Sequence, residues 1–284
     1  MIVSKIYGGL AGQMLQYATG KALALKNNTE LYLDTEWFKL PIAALGGTPR
    51  EFCLDKLNTQ YKPYQYNFFS KLKRKVQYPK GLKYIQENKF NEYDSTIPGL
   101  EGNIVLDGYW FSFRYFDSIR EILLSEFSPR FIDPQNQAII DNIKSCSNPV
   151  SIHVRRGDYV TNPNAKKFHG LIGLEYYRKA IADILTDVPG ATFYLFSNDV
   201  EWVKENFGFL NNYTLIDFNN DERNHIDIHL MSLCKYNIIA NSGFSWWAAY
   251  LNQNRDKKVI APQNWFADQT IRIDDLRPSD WILI

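Results

Sequence analysis

From Val150 to Ala261 short apolar runs alternate with helix-patterned stretches, and no other feature narrows the possible folds as far. Residues 150–154, 191–196, 213–216, 237–240 and 258–261 have strand length and strand composition. Residues 174–185, 200–207, 226–234 and 244–251 separate them and carry helical patterning. Such alternation predicts a parallel sheet covered by helices on both faces. Ligands of such sheets bind outside the carboxyl ends of the strands. The opening repeats the theme. Residues 2–7 read as a strand running into Gly8-Gly9, residues 13–26 as a helix with Leu15, Ala18, Ala22 and Leu25 on one stripe, and 31–33 as a second strand. A further strand is expected at 103–106 and helices at 118–127 and after Pro134; the rest of 40–105 is irregular. The loop signal Ser145-Cys146-Ser147-Asn148-Pro149 divides the chain into lobes 1–148 and 149–284.

Composition excludes several classes. A net charge of +1 argues against a nucleic-acid binder that relies on bulk charge. The three cysteines, Cys53, Cys146 and Cys234, show no pairing or metal-ligand spacing, which fits buried thiols in a reducing compartment. No apolar run approaches the roughly 20 residues of a membrane span, and residues 1–8 lack a signal-peptide pattern. The expectation is a cytoplasmic protein. Lys71-Leu72-Lys73-Arg74-Lys75, after Phe68-Phe69, leaves open a peripheral contact with the inner membrane, although a solvated basic face accounts for it as well.

Polar clusters fall at expected strand ends. Ser151, His153 and Arg155 share one strand face and lead into Arg156-Gly157-Asp158-Tyr159. Arginine forks pair with phosphate oxygens, so a diphosphate is the natural guest. The competing reading is a structural Arg–Asp ion pair closing the turn. Asn241-Ser242-Gly243-Phe244-Ser245 joins a strand to a helix. It offers either a phosphate-binding helix start or plain serine capping. Ser197-Asn198-Asp199 repeats that geometry, with Asp199 a natural N-cap. Gly8, Gly9 and Gln13 could let a ligand approach the backbone, or only make a tight turn, and they do not match the dinucleotide fingerprint. A metal site at His225, Asp227 and His229 lacks a fitting motif. Asp-x-Asp, nucleophile-elbow and Walker patterns are also missing.

Taken together these motifs resemble the α-1,2-fucosyltransferases of glycosyltransferase family 11. The likeness covers most of the chain: Gly8-Gly9-Leu10 with Gln13-Met14, Gly108-Tyr109-Trp110, His153 to Tyr159, His169-Gly170 with Tyr176-Tyr177, Phe196 to Asp199, and Ile239 to Ser242 with Phe244-Ser245-Trp246-Trp247. The His-x-Arg-Arg-x-Asp core is also similar to that of α-1,6- and protein O-fucosyltransferases. One departure stands out: Ala11-Gly12-Gln13 replaces the family's usual Gly-Asn-Gln.

The resemblance implies an α/β, GT-B-like architecture of two Rossmann-like lobes, with the nucleotide sugar at the C-terminal lobe. It implies inverting transfer of L-fucose from GDP-β-L-fucose to the 2-hydroxyl of a terminal β-galactose, free or lipid-linked, with no metal or other cofactor. The donor residues would be Gly8, Gly9, Gln13, His153, Arg155, Arg156, Ser197, Asn198, Asp199, Asn241, Ser242, Phe244 and Ser245. Arg155, Asp158 and His153 would serve the chemistry, with Asp158 as base, orienter of Arg155 or donor ligand. Tyr109, Trp110 and His169 would face the acceptor. Two other readings remain: a transferase using GDP-mannose or a UDP sugar, and a catalytically silent nucleotide- or glycan-binding protein.

Overall fold

The computed structural model describes residues 1–41, 50–66, 78, 80–220 and 222–284. The basic run Lys71 to Lys75 and its neighbours Phe68 and Phe69 lie outside the described residues. The chain forms two compact units, Met1–Ser128 with Ile273–Arg277, and Pro129–Arg272 with Pro278–Ile284.

In the first unit, β1 (Ile2–Lys5), β2 (Leu31–Asp34), β3 (Lys62–Pro63), β4 (Lys83–Gln86) and β5 (Ile104–Asp107) form a parallel sheet in the order β3-β2-β1-β5-β4. Central β1 pairs Ile2 with Leu31 on one side and with Ile104 on the other. Helix α1 (Leu10–Lys26) crosses from β1 to β2 and buries Met14, Leu15, Tyr17 and Ala18. It begins at Leu10 rather than Gln13, because Gly9 already serves as its N-cap. The short edge strands β3 and β4 were not apparent from sequence. They are solvent-facing and present no apolar run to find. A short helix, α2 (Arg120–Glu126), closes the unit.

In the second unit, β6 (Pro149–Val154), β7 (Thr192–Ser197), β8 (Tyr213–Ile216), β9 (Tyr236–Ile238), β10 (Lys258–Ala261) and β11 (Ile282–Leu283) form a parallel sheet in the order β11-β10-β9-β6-β7-β8. The helices are α3 (Pro134–Ser145), α4 (Gly157–Thr161), α5 (Pro163–His169), α6 (Leu174–Asp187), α7 (Val200–Asn206), α8 (Asn224–Leu233) and α9 (Gly243–Leu251). Every residue of β6 is buried. Val150, Ile152 and Val154 pack with Phe193 and Leu195 of β7 against Tyr177, Ile181 and Ile184 of α6. Each such side chain contributes about 1.5–3 kcal/mol by leaving water. From Ser245 onward every residue of α9 is buried, as expected of an interior helix that is apolar all round.

The units divide after Ser128, not at residue 148 as expected from the loop signal. Helix α3 belongs to the second unit because its polar face is tied there. The Tyr194 hydroxyl donates to Asn142 Oδ1 at 2.5 Å, and Asn136 and Asn219 exchange hydrogen bonds. Residues 273–277 return to the first unit, where Asp275 accepts from Arg114 Nη1 at 2.7 Å and from the Tyr93 amide at 3.1 Å.

Candidate functional site

The carboxyl ends of β6, β7 and β9 bring the candidate residues of the second unit together. His153 pairs in register with Phe196, and Val154 with Ser197. The chain then turns through Arg155 and Arg156 into α4. Asn198 clamps this turn. Its Oδ1 accepts from the amides of Arg156 and Gly157 at 2.9 and 3.2 Å, and its Nδ2 donates to Asp158 Oδ1 at 3.4 Å. A Cβ at Gly157 would lie 2.6 Å from Asn198 Nδ2, so the approach requires glycine there.

The two arginines differ. Arg156 lies 4.2 Å over the Trp202 ring, and its Nε donates to Asp199 Oδ2 at 3.3 Å. Asp199 also caps α7 by accepting from the Trp202 amide, and Ser197 Oγ accepts from the Asp199 amide. Ser197, Asp199 and Arg156 thus brace the turn, as the capping interpretation of Asp199 anticipates. Arg155 donates from Nη2 to Asp158 Oδ2 at 2.7 Å, while its Nε is buried with no hydrogen-bond partner among the described residues. The structural Arg–Asp ion pair weighed from sequence is present. It occupies one edge of the Arg155 fork and leaves Nε unused.

Three more buried polar atoms nearby have no partner among the described residues: His153 Nδ1, His169 Nδ1 and Asn241 Oδ1. Buried polar groups are nearly always hydrogen-bonded, so four orphans around one strand edge call for an explanation. Tyr159 links three of these residues, Arg155, His169 and Asn241. His169 stacks on Tyr159 at 4.5 Å and donates nothing from Nδ1, while Asn241 Nδ2 donates to the His169 carbonyl at 2.8 Å. The Tyr159 hydroxyl donates to the Asn241 carbonyl at 3.2 Å, and Arg155 lies 5.5 Å over the Tyr159 ring. His153 meets Phe244 at a ring distance of 5.3 Å. Burial, aided by the Arg155 charge, pushes His153 down to about 3. Burial likewise pushes His169 down to about 4. Both are neutral near pH 7. In that form each imidazole has one nitrogen that donates and one that accepts a hydrogen bond.

At the start of α9, Ser242 accepts from the Phe244 amide at 3.3 Å, and Ser245 Oγ accepts from the Ala240 amide at 3.2 Å. Ser245 is fully buried. Capping therefore accounts for both serines. From sequence, Tyr159 had no role of its own within its cluster, and Phe266 was not counted among the site residues. Phe266 stacks on His169, and both line a cavity of about 370 Å³ with Tyr176 and Asn264. Nothing local in sequence marks this long-range stack.

Gly8, Gly9, Gln13, Tyr109 and Trp110 belong to the first unit. Gly8 has φ +76°, and a Cβ there would lie 3.0 Å from the Tyr109 hydroxyl. The Gln13 carboxamide is fully used within its own unit. Nε2 donates to the carbonyls of Gly8 and Glu51 at 3.0 and 2.7 Å, and Oε1 accepts from the Cys53 amide at 2.8 Å. This corrects the donor-binding expectation for Gln13: its side chain is a buried tie. Trp110 is only 1% exposed. His169, expected beside Tyr109 and Trp110, lies in the second unit with Tyr159. Among the described residues no helix is long and apolar enough to cross a membrane.

A parallel sheet whose carboxyl end carries Arg155 with an unpartnered Nε offers a place for a phosphate-bearing ligand, and the comparisons with known proteins place the chain among glycosyltransferases. The Glycosyl transferase family 11 profile matches residues 82–284. An Escherichia coli alpha-1,2-colitosyltransferase is 35% identical over 100% of this chain and 99% of its own length. The Escherichia coli O-antigen biosynthesis glycosyltransferase WbnK is 34% identical over 93% and 94%. A galactoside alpha-(1,2)-fucosyltransferase 1 of Leontopithecus chrysomelas is 29% identical over 51% of this chain and 42% of its own. Among solved structures, Arabidopsis thaliana FUT1 in complex with GDP superposes with a TM-score of 0.52 at 12% identity, covering 98% of this chain and 74% of that one. Fucosyltransferase NodZ from Bradyrhizobium gives 0.50 at 14% identity, covering 87% and 92%. The chain is a glycosyltransferase with the GT-B fold. It belongs to glycosyltransferase family 11.

Proposed function

We propose that this enzyme transfers L-fucose from GDP-β-L-fucose to the 2-hydroxyl of a terminal β-galactose, with inversion and without a metal. The observation that carries the donor site is the set of four buried, unpartnered polar atoms on His153, Arg155, His169 and Asn241. A GDP diphosphate would complete the Arg155 fork, and neutral imidazoles would bond its base, ribose or phosphate oxygens. In the reaction the galactose 2-oxygen forms a bond to the anomeric carbon as the bond to the β-phosphate oxygen breaks. GDP departs with that electron pair, and the proton of the galactose 2-hydroxyl, lost late in the step, passes to water. Arg155, as a fixed cation, stabilises the charge that gathers on the leaving phosphate. Asp158 holds Arg155 in place, a role its two hydrogen bonds favour over proton abstraction. The names of the relatives support an α-1,2 linkage and a role in O-antigen assembly.

A second donor has a specific observation behind it. The full-length likeness to an alpha-1,2-colitosyltransferase favours GDP-colitose, whose sugar is fucose lacking the 3-hydroxyl. The test is GDP release in EDTA from GDP-fucose, GDP-colitose, GDP-mannose and a UDP sugar, with a panel of galactosides. Galactoside-dependent release from GDP-fucose supports the reading. Preference for GDP-colitose moves the donor to the deoxy sugar. Release only from GDP-mannose or a UDP sugar, or GDP binding without release from any donor, contradicts it.

A further inference from the structure

Tyr159 stands in α4 and is only 5% exposed. Its side chain is clamped within the second unit. The His169 imidazole lies parallel to it, 4.5 Å away at an interplanar angle of 3°. Its hydroxyl donates to the Asn241 carbonyl at 3.2 Å. Asn241 in turn donates from Nδ2 to the His169 carbonyl at 2.8 Å and to the Trp265 carbonyl at 3.2 Å. Tyr159, His169 and Asn241 thus form a closed circuit of contacts that ties the connection after β6 to the chain after β9. Phe168, edge-on to His169 at 4.8 Å, and Phe266 pack against that circuit. Burial holds the Tyr159 hydroxyl well above its ordinary value, so it stays protonated and keeps its hydrogen bond at neutral pH.

The Arg155 guanidinium lies 5.5 Å over this clamped ring. Asp158 holds it at one atom, Nη2, while Nε is buried without a partner among the described residues. A single hydrogen bond lets a planar fork swing about that contact. An aromatic face fixes a second direction, because its quadrupole attracts the guanidinium. The neighbouring Arg156 is held by the same two devices, the Trp202 ring at 4.2 Å and Asp199 Oδ2 at 3.3 Å. The Tyr159 hydroxyl is committed to a main-chain carbonyl, so the ring face is what Tyr159 offers to Arg155.

We infer that Tyr159 is a positioning residue: its ring, locked by His169 and Asn241, holds the Arg155 guanidinium in the orientation in which it meets the donor diphosphate. The inference rests on the donor-site reading above. Tyr159 acts through Arg155 and is not itself a ligand of the diphosphate.

The test is a double-mutant cycle on the whole protein, read by calorimetry as GDP affinity per folded molecule. Tyr159→Leu should weaken GDP roughly tenfold in the wild-type background and less than about twofold further in an Arg155→Ala background. Tyr159→Phe keeps the ring face and should stay within about threefold of the wild type. A ring that served only the core would cost the same factor in both backgrounds, and that result overturns the inference. Unchanged affinity in Tyr159→Leu overturns it too. A loss in Tyr159→Phe as large as in Tyr159→Leu also does so, by moving the effect to the hydroxyl. Should Tyr159→Leu fail to fold, Tyr159→pentafluorophenylalanine takes its place in the cycle with the same expected factors, because it preserves the shape of the ring and reverses the charge of its face. Wild-type GDP affinity in Arg155→Ala sinks the donor-site reading itself, whereas equal losses in the two backgrounds beside a weakened Arg155→Ala protein sink the role of Tyr159 alone.

Discussion

At the edge of the first sheet the Gln13 carboxamide closes every hydrogen bond on its own unit, while at the edge of the second sheet Arg155, His153, His169 and Asn241 each keep a buried polar atom unpaired. Both regions follow a strand, both contain glycine, and both resemble family motifs. Polar residues at a strand end therefore do not by themselves mark a binding site. What separates the two is whether folding alone satisfies them. The same distinction divides the adjacent arginines at one atom: the Arg156 Nε donates to Asp199, and the Arg155 Nε is buried without a partner among the described residues.

Substitutions can break or sharpen this contrast. Arg155→Ala should reduce transfer by roughly 100- to 1000-fold with little change in melting temperature, because a partly exposed ion pair contributes about 0–1 kcal/mol. Steady-state kinetics beside thermal melts would check it, and retained activity would remove Arg155 from the donor site. Asp158→Asn should weaken GDP binding and lower kcat by about tenfold or more, since Arg155 loses its orienting partner. Unchanged GDP affinity with lost turnover would instead make Asp158 the base. Asn198→Ala should cost stability and GDP affinity together, about 1–2 kcal/mol each, because two turn amides lose their acceptor. Gln13→Ala should act in the opposite sense to Arg155→Ala. It should lower stability by about 2–3 kcal/mol while GDP affinity per folded molecule stays within a few-fold.

The smallest expected effect concerns pH. Burial pushes Asp227 up to about 7, with Asn219 donating to it at 2.7 Å. The folded chain holds this proton between about pH 4 and 7 where the unfolded chain releases it, so the associated stability fades as pH rises through 7. The depressed histidines His153, His169 and His229 act oppositely, losing stability as pH falls below about 6.5. Asp227→Asn should raise stability by about 1 kcal/mol at pH 8 and change little at pH 5. Equal effects at both pH values in thermal melts would discount the raised carboxyl.

Much of the second unit was legible because its strands are buried on both faces and read as unbroken apolar runs. Strands β8 and β10 match their expected bounds, and β6 and β7 agree within a residue. Strands β3 and β4 were not legible, since edge strands of two to four exposed residues carry no such signal. Helix α5 was missed although Asn162 followed by Pro163 is a recognisable start, and Asn162 does cap it. At the site, the Arg155–Asp158 turn was legible as a phosphate-binding candidate. The clamp role of Asn198 and the Tyr159–His169 stack were not, because they join residues about 40 and 10 positions apart through the fold. The burial of Trp110 was not legible, because an aromatic residue alone does not reveal which side of the surface it faces.

The central contrast is tested most directly by titrating GDP into the wild type, Arg155→Ala and Gln13→Ala proteins. The expected result is a loss of affinity of roughly 100-fold for Arg155→Ala and near-wild-type affinity for folded Gln13→Ala. GDP affinity unchanged by Arg155→Ala, or lost in a well-folded Gln13→Ala protein, would contradict the placement of the donor site at the edge of the second sheet.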